Sequence, residues 1–181
     1  MMALAPGHHS VGPATGSLRI KTYREGVAAK VGHDLVIEAG SWEATVESGT
    51  GDMAISLRAD PTSLRVLTGE RGVKPLTDRD RNEIRKNIDE QILGRRPIEF
   101  RSTAVRPAAD GGEIAVEGDL TLAGSTRPVS ARLRFEPDGH LTGTIPVVQS
   151  QWGIKPYRGF MGALKVRDEV EILVDARLPT G

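Results

Sequence analysis

Residues 113–135 read EIAVEGDLTLAGSTRPVSARLRF. In the first ten, Ile114, Val116, Gly118, Leu120 and Leu122 share one parity, while Glu117, Asp119 and Thr121 take the other. After AGSTRP, at 123–128, alternation resumes with Val129, Ala131, Leu133 and Phe135, and Ser130, Arg132 and Arg134 fall opposite. Alternation of this kind puts each set on its own face of a strand. A link this short joins antiparallel neighbours, because parallel strands need a crossover of about a dozen residues. The stretch predicts a β-hairpin with one apolar and one polar face.

The same rhythm extends in both directions. Leu18 and Ile20 form one apolar set, Trp42, Ala44 and Val46 another, and Met53, Ile55 and Leu57 a third. Ile98 with Phe100, then Leu141, Ile145 and Val147, then Val166, Val170, Ile172, Val174, Ala176 and Leu178 complete the pattern. Short polar links separate the segments: AGS at 39–41, ADGGE at 109–113 and PDGH at 137–140. The strands do not alternate with helices, so a parallel α/β sheet is not expected. About eight antiparallel strands have two common solutions, a sandwich or a closed barrel. An eight-stranded barrel is either filled by its own side chains or holds one small ligand.

The inward parity is rich in small residues: Ala29, Ala39, Ala44, Ala59, Gly118, Ala131, Gly143 and Ala176. Aromatics are only 4% of the chain, which leaves room for a cavity. The alternative is that small residues fit the taper of a solid barrel.

AAKVGHDLVIEAGSW, at 28–42, puts a histidine into this pattern. Val27, Ala29, Val31, Leu35, Ile37 and Ala39 share a parity, and His33 falls on it. An imidazole turned inward must find a partner. It either meets the polar end of a ligand or donates to a backbone carbonyl. No metal is expected there, since zinc wants three or four ligands and the other histidine within the fold, His140, sits in the PDGH turn.

One stretch departs from period two. PLTDRDRNEIRKNIDEQILG, at 75–94, carries Ile84, Ile88 and Ile92 at helical spacing, widened by Leu93. Thr77 can cap the start and Gly94 the end. The spacing predicts an amphipathic helix over 77–93, whose stripe must lie on the mouth or flank of a curved sheet. QSQWGIKPYRGF, at 149–160, also breaks the alternation. Its glycines and proline suggest a loop or bulged strand. Lys155, Tyr157 and Arg158 could form a rim there, or an ordinary exposed loop.

Composition removes several function classes. The chain has 181 residues and no cysteine, so one domain is expected, without disulfides or thiolate chemistry. Its 24 basic and 24 acidic residues cancel, and no basic footprint for nucleic acid is seen. No apolar run approaches the ~18 residues of a transmembrane helix. Residues 1–16 read as a flexible arm, with His8 and His9 in it, and with neither the charged nor the apolar region of a secretory signal. The expectation from that is a cytoplasmic protein, with a homodimer left open. There is no Gly-x-Ser-x-Gly elbow, His-Glu-x-x-His or Walker loop.

The chain resembles the YceI family of lipocalin-like bacterial proteins. The segments that carry the likeness are KVGHDLVIEAGSWEATVE, RRPIEFRSTAV, VEGDLTLAGSTRPVSARLRF and QWGIKP…VRDEVEILVDARL. Pro97, Phe100 and Ser102 fit one family pattern, a proline shortly before a Phe-x-Ser strand. Gly118, Leu120, Thr121, Leu122, Gly124, Thr126, Pro128 and Val129 fit a second, Gly-x-Leu-Thr-Leu-x-Gly-x-Thr-x-Pro-Val. The helix over 77–93 sits at the family's insertion, and His33 matches the histidine of its early strand motif.

The resemblance implies an all-β fold with one inserted helix, an extended eight-stranded antiparallel lipocalin-like barrel over 17–181. It implies non-enzymatic binding, transport or sequestration of an isoprenoid lipid or quinone-like molecule in an apolar channel, with no cofactor beyond such a bound lipid. The expected lining is Val31, His33, Leu35, Ile37, Trp42, Ala44, Phe100, Val116 and Leu120, continuing with Ala131, Leu133, Phe135, Ile145, Val147, Trp152, Ile172 and Val174. Two other readings stay open: an enzyme on a hydrophobic substrate with His33 as acid or base, and a solid barrel that binds a partner.

Overall fold

A computed structural model describes residues 4–29, 32–49, 52–70, 72–109, 112–159 and 164–180. Its main sheet is antiparallel throughout and curls into a lipocalin-like half-barrel. The strands are β1 (Gly7–Val11), β2 (Gly16–Thr22), β3 (Arg24–Glu25), β4 (Asp34–Ala39), β5 (Trp42–Ser48), β6 (Ala54–Ala59) and β7 (Leu64–Glu70). After the helix α1 (Asp78–Asn87) come β8 (Ile98–Pro107), β9 (Glu113–Leu122), β10 (Ser125–Phe135), β11 (His140–Val148), β12 (Arg158–Gly159), β13 (Leu164–Val166) and β14 (Glu169–Arg177). Eleven of these form one sheet, in the order β1-β5-β6-β8-β9-β10-β11-β14-β2-β4-β7, and β12-β13-β3 make a small second sheet.

The expected hairpin of 113–135 is present, paired from Arg134↔Glu113 to Ser125↔Leu122. Its tight turn places Ala123 and Gly124 at φ 50 and 81.

Eleven paired segments exceed the expected eight for two reasons. First, β4 and β5 are one long strand interrupted at Gly40–Ser41, and β6 and β7 are its partner, interrupted at 60–63. The pairing continues across the break with its register shifted by two, from Asp34↔Glu70 through Ala39↔Leu64 to Trp42↔Ala59 and Glu47↔Ala54. Counting each bent strand once recovers eight long strands: β2, β4–β5, β6–β7, β8, β9, β10, β11 and β14. Second, the segment expected as a loose arm contributes β1, which pairs with β5 from Gly7↔Ser48 to Val11↔Ala44. Val11 is buried, so apolar burial anchors the segment. Of the arm's histidines, His9 Nε2 lies 2.6 Å from Ala5 O and His8 Nδ1 lies 3.4 Å from Glu47.

The start of the early motif is also corrected. The strand begins at Asp34, and Gly26 to Ala29 form a turn that leaves Val27 94% exposed. Gly26, at φ 100, takes a backbone conformation that breaks the alternation.

The small residues do not open a channel. Ala39, Ala44, Ala59 and Ala176 are all buried in a packed core with Trp42, Val116, Leu133 and Phe135. A Cβ on Gly118 would come within 2.5 Å of both the Phe100 ring and Arg101 O, and one on Gly143 within 2.2 Å of Leu133. At this end a large side chain from one strand lies over a glycine of its neighbour.

Two predictions follow from the packing. Gly118→Ala should cost about 1–3 kcal/mol through overpacking. At roughly 2–4 °C per kcal/mol for a domain of this size, a thermal melt would detect it. The second concerns Glu38, which bridges Arg19 on β2 at 3.0 Å and Arg65 on β7 at 2.7 Å. The hydrogen bond from Arg65, with that from Arg19, holds its carboxyl below the ordinary carboxylate value. A depressed pKa adds stability above the unfolded-state value and loses it as pH falls through the folded one. Glu38→Gln should therefore melt below wild type at neutral pH, with the gap closing in the acid range.

Candidate functional site

The half-barrel is solid at one end and hollow at the other. The hollow end encloses a cavity of about 610 Å³ with a mainly apolar lining. The same strands serve both ends. On β9, Ile114 and Val116 belong to the solid core, while Leu120 and Leu122 face the cavity. On β14, Ala176 is core, while Val170, Ile172 and Val174 face the cavity. The walls continue through Leu18 and Ile20 of β2, Leu35 and Ile37 of β4, Leu57 of β6, Leu64 of β7, Ile98 of β8, and Ile145 and Val147 of β11.

The roof is the helix. Thr77 and Asp80 form a reciprocal capping box, with Thr77 Oγ1 accepting from Asp80 N at 3.1 Å and Thr77 N donating to Asp80 Oδ2 at 3.0 Å. After Asn87 the chain widens into a π-helical turn, Ile88–Ile92, closed by Leu93 N donating to Ile88 O at 2.8 Å. Gly94 and Arg95 then take left-handed conformations, which ends the helix where the sequence expected. Ile84, Ile88 and Ile92 line the cavity and stay only half-buried, so the helix turns its apolar stripe toward open space.

Of the residues expected to line a channel, the structure gathers eight around the cavity: His33, Leu35, Ile37, Leu120, Ile145, Val147, Ile172 and Val174. Trp42, Ala44, Val116, Leu133 and Phe135 are buried in the solid end instead. Phe100 is committed to covering Gly118, and Ala131 packs against the solid core. Trp152 lies behind the cavity wall in a 3-10 turn, 3% exposed, and its Nε1 donates to Leu120 O at 2.8 Å. Val31 lies outside the described residues. The helix isoleucines were not among the expected lining. Their stripe was expected to lie on the mouth or flank of a curved sheet, and the mouth was the signal that could have found them.

His33 lies just before β4, half-buried rather than fully buried, because its loop stands at the cavity mouth. Its Nε2 lies 2.5 Å from Lys74 O and, in that geometry, donates to it. A Cβ on Gly72 would fall 2.1 Å from the same nitrogen, so a side chain there would displace the ring. The imidazole thus ties the start of β4 to the 72–76 segment, as the backbone-carbonyl reading expected. His140 pairs with Asp175 at 2.8 Å.

The mouth carries both signs of charge, from Arg24, Lys74, Lys165, Asp80 and Glu83. Most of these groups hold local structure. Arg24 Nη1 donates to Ala29 O at 3.0 Å and Gly32 O at 3.2 Å, Asp80 caps the helix, and Lys165 faces Glu25 at 3.6 Å. Deeper in, Gln149 is 8% exposed, and its Nε2 donates to Arg167 O at 3.2 Å. Tyr157, from the segment read as a rim or a loop, lines the mouth, whereas Lys155 and Arg158 are exposed beside it.

Over residues 19–178 the sequence matches the family model described as a YceI-like domain. The chain belongs to the YceI-like family. Among solved structures, Burkholderia cenocepacia BcnA is 16% identical with a TM-score of 0.60, covering 87% of this chain and 94% of that one. A mutant CJ YceI protein with a monobromobimane guest is 10% identical with a TM-score of 0.58, covering 80% and 84%. Both likenesses are of fold. None of the curated proteins matches the sequence.

The His33 geometry leads to a prediction. His33→Ala should lower the melting temperature by a few degrees, the effect of losing one hydrogen bond worth about 1 kcal/mol net. Affinity for an apolar ligand should change far less, as paired melting and binding measurements would show.

Proposed function

We propose that this protein is a non-enzymatic carrier that takes one long apolar molecule, of the isoprenoid or quinone-like kind, into the cavity under the helix. The observation that carries the reading is the cavity itself, about 610 Å³ and walled by leucine, isoleucine and valine from β2, β4, β6, β7, β8, β9, β11 and β14 and from the helix. That volume falls inside the usual range of roughly 300–1,000 Å³ for small-molecule sites. Each methylene moved from water into such a space contributes about 0.8 kcal/mol, so a long chain binds well without special chemistry. The half-covered stripe of Ile84, Ile88 and Ile92 gains most from such an occupant.

The alternatives draw less support. His33 has a structural role already, since its Nε2 donates to Lys74 O and ties two segments at the mouth together. A solid barrel is at odds with the hollow end.

Two substitutions separate carriage from the alternatives. Ile172→Trp puts an indole into cargo space and should keep most of the melting temperature while cutting uptake of a long-chain isoprenoid roughly tenfold or more. Ala176→Trp, in the solid end, should cost about 1–3 kcal/mol or more. Mass spectrometry of organic-solvent extracts of the purified protein would identify a resident cargo. A wild-type protein that yields none and takes up none in titration would end the carrier reading.

A further inference from the structure

We propose that the cavity mouth is a docking face for an anionic lipid bilayer, the surface from which cargo would be loaded. Among the described residues, the exposed large hydrophobics are Val27, Val73 and Tyr157, at 94%, 68% and 47%. All three stand at the mouth. Val27 is in the 26–29 turn, which Arg24, a cavity-lining residue, ties to Gly32 beside His33. Val73 precedes Lys74, Pro75 and Leu76, which also line it, and Tyr157 is itself a lining residue. The His33–Lys74 bond joins the first two loops, and pairing of β12 with β13 and of β13 with β3 joins the third to the base of the first. Three apolar tips on three linked segments point to one surface rather than to scattered exposure.

Charge says which surface. Lys74 follows Val73, while Lys155 and Arg158 flank Tyr157, and all three are exposed. None of the three has an ion pair among the described residues. The carboxylates that line the mouth are engaged, Asp80 by the Thr77 cap and Glu83 by Arg79 at 3.3 Å, as is Glu25 beside it by Lys165 at 3.6 Å. Three exposed cations with no ion pair among the described residues therefore stand beside the apolar tips. Apolar tips that enter a headgroup layer, beside cations that meet anionic lipid, are the two parts of peripheral membrane attachment. Such contacts are individually weak, so docking is reversible, as loading requires.

The test is sedimentation of the cargo-free chain with vesicles of phosphatidylcholine alone and with vesicles containing phosphatidylglycerol, at low and high salt. The expected result is binding to the anionic vesicles that salt weakens. A Lys74→Glu, Lys155→Glu, Arg158→Glu triple variant should bind roughly tenfold or more weakly, and Val27→Asp with Val73→Asp should also weaken binding. All five positions are exposed, so unchanged melting curves will verify that the variants are folded. The proposal falls if the wild type ignores anionic vesicles, binds neutral ones equally well, or is matched by either variant. It falls equally if light scattering shows a second copy covering this face. Docking is read without cargo, so a protein that binds vesicles but takes up no isoprenoid from detergent would refute the carrier reading and leave this one standing.

Discussion

Everything hollow in this protein depends on a corner. At Gly40–Ser41 and 60–63, the long hairpin of β4–β5 with β6–β7 gives up its regular ladder and bends. Two backbone bonds replace the lost rungs, Gly40 N to Ser63 O and Asp60 N to Ser41 O, both 3.0 Å. Asp60 then accepts from Thr62 N at 2.9 Å and Thr62 Oγ1 at 2.7 Å, which fixes the short 3-10 turn. The Thr62 bonds hold the Asp60 carboxyl below its ordinary value. Ala39, Ala59 and Leu64, at 2%, 1% and 3% exposure, seal the inside of the bend. Without it the hairpin would run straight. Leu57 of β6 could not then face the same space as Leu35 and Ile37 of β4.

The same strands build a solid end and a hollow end because of which side chains oppose each other. In the solid end, bulk on one strand meets a glycine or alanine on the next, as Phe100 does over Gly118 and Leu133 over Gly143. Such interlocking leaves no room, consistent with the crystal-like density of protein interiors. In the hollow end leucine, isoleucine and valine face one another across the half-barrel, and none of them reaches the far wall. Medium-sized side chains on every wall thus make the cavity, and large side chains set over small ones make the core. This inverts the intuition that alanine and glycine line a space.

That inversion explains what the sequence could and could not show. Period two is a local property, so the hairpin of 113–135 and the helix over 77–93 were legible, down to the Thr77 cap. Family motifs placed the whole chain. Depth along a strand is not a local property. Val116 and Leu120 share a parity and a strand, yet one is core and the other cavity wall, because their surroundings differ. Parity alone therefore placed Trp42, Ala44 and Phe135 on the cavity wall, although each packs in the solid end. It also carried the strand back to Val27, where the backbone at Gly26 ends the alternation.

The helix connects stability to function. Its 10 α-helical residues include none that is buried, and its apolar stripe faces the cavity. It is held at its ends and edges instead: by the capping box, by Arg81 to Leu67 O at 3.3 Å, by Arg85 to Thr62 O at 3.5 Å, and by buried Leu93. An element fastened in this way contributes little apolar burial while the cavity is empty. A bound chain would supply the missing contacts and cover Ile84, Ile88 and Ile92 together. Any ligand that binds only the folded state adds stability by mass action. In this fold that gain would fall first on the roof, so the part of the molecule least stabilised by its own sequence is the part a cargo would complete.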